Sequence, residues 1–129
     1  MTSPAEDIKA LLEAESSLAL DFGTDLFVGD MPESPDNCIC VMDTGGFAPS
    51  IGPYYHPSVQ ILVRGTVGSY SETIAQAQAL CITLHAYYGT PSGSSFYYAG
   101  VWSLGDPFYI GVDENNRPLF SINFRIQRR

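Results

Sequence analysis

The sequence predicts an α+β fold: one domain over residues 1–129, with a mixed or antiparallel sheet and two helices packed on one of its faces. Three observations lead there. Two stretches repeat their apolar residues at helical spacing, several shorter runs alternate with a period of two, and glycine and proline punctuate the boundaries. A chain of 129 residues also supports only one core; size scaling gives it roughly 6,700 Å² of folded surface, with about two-thirds of the unfolded surface buried.

The first helix is predicted over residues 4–17. Ser3-Pro4-Ala5-Glu6 has the form of a capping box with proline at the first helical position, and Ile8, Leu11 and Leu12 follow on one face. Asp25 to Gly29 reads as a short strand. Cys38-Ile39-Cys40-Val41-Met42 is an unbroken apolar run, expected as a strand buried on both faces and ended by Asp43-Thr44-Gly45-Gly46. Residues 47–57, with three prolines and the pair Tyr54-Tyr55, read as an irregular loop. Ser58 to Gly65 is a strand with Val59, Ile61 and Val63 on one face. Ser69 to Glu72 forms a second capping-box pattern, and Ile74, Ala77, Cys81, Leu84 and Tyr88 predict a helix over 70–88, stopped by Gly89 and Pro91. Phe96 to Leu104 and Phe108 to Val112 are strand-like, and Asp113 to Asn116 is a polar hairpin tip. Leu119 to Gln127 then alternates, Phe120, Ile122, Phe124 and Ile126 against Ser121, Asn123, Arg125 and Gln127.

Charge is unevenly placed. The net charge is −8, yet residues 1–43 hold ten acids against Lys9 alone, whereas residues 44–129 hold four acids and five arginines. Nucleic-acid binding needs clustered cations and is not expected. No apolar run approaches the roughly 20 residues of a membrane helix, and the N-terminal segment lacks a secretory pattern, so synthesis in a reducing cytoplasm is the expectation. Cys38, Cys40 and Cys81 have neither a redox nor a zinc spacing and read as small buried hydrophobes.

Catalytic motifs are missing: no nucleophile elbow, phosphate-binding loop, zinc-protease helix or dinucleotide glycine pattern occurs. His56 and His85 lie apart, and Asp106, Asp113 and Glu114 lack the spacing of a calcium loop. The chain is expected to be no enzyme and to need no cofactor or metal. The anomaly is aromatic: seven Phe, eight Tyr and Trp102 exceed what one small core absorbs. Interface residues therefore come from two sets. Tyr54, Tyr55, Tyr97, Tyr98 and Trp102 are rings with a polar end. Arg64, Arg117, Arg125, Arg128 and Arg129 complement the acidic N-terminal third.

The run His56-Pro57-Ser58-Val59-Gln60-Ile61-Leu62-Val63-Arg64-Gly65 resembles a pattern of the bacteriophage minor capsid proteins. The following helix, through Tyr70, Ala75, Ala79 and Leu84, is similar too. So is the close, with Asp106-Pro107, Gly111, Asp113-Glu114-Asn115-Asn116-Arg117-Pro118 and Ser121-Ile122-Asn123-Phe124-Arg125-Ile126; together the likeness spans residues 25–127. It implies a structural virion protein similar to phage tail terminators. These are subunits of a hexameric ring that caps the tail tube, meets a head-proximal connector and lets DNA pass unbound, the particle being assembled in the host cytoplasm. Another head–tail connector or completion protein is the alternative within that class. Outside it, the alternative is a monomeric module binding ligands in a groove of Tyr54, Tyr55, Tyr97, Tyr98 and Trp102.

Overall fold

A computed structural model describes residues 1–129 as a seven-stranded sheet with two helices, in the order α1 (Pro4–Ala14), β1 (Leu26–Val28), β2 (Cys38–Phe47), β3 (His56–Arg64), α2 (Tyr70–Leu84), β4 (Tyr87–Gly89), β5 (Tyr98–Ser103), β6 (Phe108–Val112) and β7 (Pro118–Arg128). The strands lie in the order β1-β2-β3-β7-β5-β4, and β6 pairs with the first half of β7. Only β1 with β2 is parallel, so the sheet is mixed and the predicted α+β class holds.

Opposed residues across the strands show where the core forms. Val41 faces Ile61, which faces Ile122; Val63 faces Phe120, Val59 faces Phe124, and Val101 faces Ile126. All are buried, and all belong to one cluster with Ala5, Ile8 and Leu12 of α1 and Ala77, Leu80 and Leu84 of α2. Both helices therefore seal the same face of the sheet. Of the run expected to be buried on both faces, Cys38, Ile39, Cys40 and Val41 are buried, whereas Met42 is half-buried.

The capping box of α1 is present: the Ser3 hydroxyl accepts from Glu6 N–H at 3.2 Å, and Glu6 accepts from Ser3 N–H at 3.1 Å. The helix ends at Ala14, three residues early, where the Glu15 side chain accepts from both Ser17 N–H and Ser17 Oγ–H and so competes with the helical ladder. The second capping box does not form. The Ser69 hydroxyl instead donates to Thr66 O, and the Thr73 hydroxyl donates to Ser69 O. Gly65 explains this tight corner, since a Cβ there would overlap Thr73 Oγ1. α2 stops at Leu84 and not at residue 88: Ala86 turns at φ +66, and Tyr87 pairs with Val101 as a strand. Gly45-Gly46 does not end β2 either. The pair forms a bulge at φ +85 and +119, where Gly46 packs directly on the Pro57 backbone, and the strand continues to Phe47.

One buried ion pair ties the layers together. Asp7 on α1 is 1% exposed; its Oδ2 accepts from Tyr98 Oη at 2.6 Å, Ser94 Oγ at 3.0 Å and Arg128 Nη1 at 3.2 Å. Its Oδ1 accepts from Thr2 Oγ1 at 2.6 Å. Burial, reinforced by the adjacent Asp7 carboxylate, pushes the Tyr98 phenol far above its ordinary range, which keeps it a donor. Four donors satisfy the carboxylate, and the guanidinium of Arg128 lies 3.8 Å from the Phe96 ring centre. Removing the acid leaves a buried cation unpaired. Asp7→Ala is expected to cost about 3–5 kcal/mol in chemical denaturation, well above Tyr98→Phe, which deletes one neutral donor.

A second cluster fixes the β6–β7 hairpin. Asp113 accepts from Arg117 N–H and Asn115 N–H, both at 2.9 Å, and from Arg117 Nε at 2.8 Å. Partial burial pushes the Asp113 carboxyl up, but these hydrogen bonds outweigh it and hold the group below the usual carboxylate range. A depressed folded value means the stabilisation is complete above the unfolded carboxyl range, about pH 4, and disappears as pH falls through the folded value. Asp113→Asn is therefore expected to lower the thermal midpoint at pH 7, with the gap from the parent closing as the solution is acidified.

Candidate interaction surface

The period of two along β7 divides the basic residues predicted as interface. Even-numbered side chains from Phe120 to Arg128 point to the helices, and odd-numbered ones point to the opposite face. Arg128 therefore enters the core against Asp7, while Arg125 and Arg129 stand exposed. Arg64 and Arg117 are each 4% exposed and are engaged within the chain. Arg64 donates to the carbonyls of Pro32, Pro35 and Asp36 at 2.6–3.0 Å. Arg117 donates to Glu33 O and pairs with Glu33, Asp36 and Asp113. These two arginines clamp the 32–36 loop and are not part of an accessible surface. Tyr98 is also fully buried, so the five rings predicted to share a groove do not line one.

The remaining candidates gather around the C-terminal half of β7. Tyr55 exchanges two backbone hydrogen bonds with Arg128, at 2.7 and 3.0 Å, and Tyr97 exchanges two with Arg129, both at 2.9 Å. These ties place the Arg129 guanidinium 5.7 Å from the Tyr54 ring centre and 5.2 Å from that of Tyr97. Arg125 lies 4.7 Å from the Phe47 ring centre, directly opposite Trp102 in the β5–β7 register. The Trp102 indole packs against Gly100, where any Cβ would strike the ring, and is still 37% exposed. A shallow depression of about 380 Å³ separates Trp102, Leu104, Arg125, Gln127 and His56. Each guanidinium rests on an aromatic ring, and neither makes an ion pair.

No helix covers this face. Of the sixteen aromatic residues only Tyr98, Phe120 and Phe124 are fully buried, whereas Phe22, Phe47, Tyr55, Tyr70, Tyr88, Tyr97, Trp102, Phe108 and Tyr109 are exposed. Phe47, Leu104 and Phe108 belong to the same outer surface but escaped the sequence reading. The alternation that would have placed Phe47 is hidden by the bulge at Gly45-Gly46, and Leu104 follows the last residue of β5. β6 adds an edge strand whose Phe108, Tyr109, Ile110 and Val112 are all exposed.

Reactive chemistry is sparse around it. Ser50 Oγ, on the exposed β2–β3 loop, and His56 Nε2, at the start of β3, lie 2.6 Å apart, and no carboxylate hydrogen-bonds the histidine ring. His85 Nδ1 accepts from Ser103 N–H, a packing role. Burial pushes the thiols of Cys38, Cys40 and Cys81 up, away from the reactive thiolate. No three His, Cys, Asp or Glu side chains are grouped to hold a metal ion, and no helix is long and apolar enough to cross a membrane. The surface is shallow and aromatic, with two cations held over its rings.

The same architecture occurs in solved structures. A chain in the virion of a native gene transfer agent particle aligns over 98% of this chain and 94% of its own length, with 17% identity and a TM-score of 0.70. A second solved structure aligns over 96% of each chain, with 13% identity and a TM-score of 0.51. At these identities the likeness establishes the fold. Curated proteins give no match. The family model described as bacteriophage tail terminator protein matches residues 15–129, all of the sheet and α2, and the chain therefore belongs to the tail terminator family of structural phage proteins.

Proposed function

We propose that this chain is a non-catalytic virion protein that forms a ring, which caps the tail tube and joins it to the head-proximal connector. Family membership supports the class, and the exposed aromatic face of the sheet supports the ring. A protomer in a ring needs two side contacts of about 800 Å² each, close to a quarter of the 6712 Å² that this chain exposes. The uncovered face, the β6 edge and the exposed rings supply apolar area of that order without opening the core. A hexamer is the ring size implied by the resemblance to tail terminators.

The charge distribution fits a channel through which DNA moves. The chain has net charge −8, and three of its five arginines are engaged in its own interior. Few cations remain to grip phosphate, so a ring of such subunits lets the duplex pass unbound.

Electron microscopy of the native particle tests the proposal. Density for this chain is expected as one ring at the junction between tail tube and head. Density in the capsid shell or along the tube, or absence from the particle, would overturn it.

A further inference from the structure

The structure separates two surfaces of opposite charge that cannot meet within one chain. Arg125 and Arg129 stand on the outer face, held over Phe47, Tyr54 and Tyr97, and make no ion pair. Residues 13–30 contain Glu13, Glu15, Asp21, Asp25 and Asp30 and no lysine or arginine; none of these acids is in an ion pair either. The nearest cation in sequence, Lys9, is turned onto the Phe22 ring at 4.6 Å. This acidic segment wraps β1, the edge strand, and two strands separate β1 from β7. Three strand spacings amount to about 14 Å, beyond the reach of a side-chain bridge.

We infer that the Arg125–Arg129 face docks the acidic β1 edge, residues 13–30, of a second copy of this chain. The inference rests on the ring reading and specifies its subunit contact. Opposite charge on two different surfaces makes the contact head-to-tail, the arrangement that closes into a ring when the rotation per subunit divides a full turn. Both guanidinium groups are already positioned by rings and by the backbone ties of Arg129, so little side-chain freedom is lost on docking. Trp102 and Phe47 supply apolar area between the charges. A duplex is the weaker occupant, because two cations on a chain of charge −8 neutralise few phosphates.

A charge swap tests the contact. Self-association is measured by sedimentation velocity and native mass spectrometry at low salt for four proteins: the parent, Arg125→Glu/Arg129→Glu, Glu15→Lys/Asp21→Lys/Asp30→Lys, and the chain carrying all five changes. All changed positions are exposed or half-buried, and unchanged thermal midpoints establish folding before association is scored. Each reversed surface is expected to weaken association about tenfold or more, with loss of its salt dependence, and the combined swap to restore both. Undiminished assembly of Arg125→Glu/Arg129→Glu, or no recovery in the combined variant, would overturn the contact and leave the ring itself standing. A parent that stays monomeric at millimolar concentration would do the same. Duplex binding by the parent that is lost with the two arginines would reassign the face to nucleic acid.

Discussion

The alternation of side chains along β7 is the constraint from which the rest follows. One strand, central in the sheet, must satisfy two environments at once. Its even positions fill the space under both helices with Phe120, Ile122, Phe124 and Ile126, then close that layer with Arg128. Its odd positions are thereby committed to the other face, where Asn123, Arg125 and Arg129 meet solvent. A one-residue slip in register would bury Arg125 and expose the apolar set, a cost far beyond any single contact. The position of each arginine is thus fixed by packing.

Arg128 shows how the interior and the outer face of the sheet are coupled. Its backbone carries the bridge to Tyr55, while its side chain holds Asp7, Tyr98 and the Phe96 ring. The same residue therefore seats α1 on the sheet and fixes the tyrosine segment that flanks Arg129. A buried pair of this kind contributes less to net stability than to uniqueness of the arrangement, because desolvation offsets much of the attraction. Four donors on one carboxylate make that arrangement hard to replace. The outer face pays for its openness differently: its exposed rings are an aggregation liability for a free chain, moderated by two guanidinium groups and an acidic surface.

Much of this was legible in the sequence, and the failures have physical causes. The apolar alternation in β7, the doubly buried run at Cys38–Val41 and the Ser3 capping box all depend on local pattern, and all stand in the structure. In the sequence Asp7 is only one of the ten acids of the N-terminal third, because three of its four partners lie 87, 91 and 121 residues away. Arg128 was grouped with Arg125 and Arg129 by proximity, although extending the Phe120–Ile126 alternation by one step sends it inward. Arg64 and Arg117 read as edge charges because the loop they clamp has no periodicity of its own. At Ala86 a positive φ and pairing with β5 overrode a helical stripe that ran on to Tyr88.

The central claim is that the outer face of β7 and its flanking rings are covered in the assembled particle while the inner face remains the folded core. Hydroxyl-radical footprinting of the free chain and of the native particle measures this side chain by side chain. The account predicts strong protection of Trp102, Tyr97 and Phe47 on assembly and unchanged, low reactivity of Tyr98. Equal labelling of Trp102 in the free chain and in the particle would contradict it.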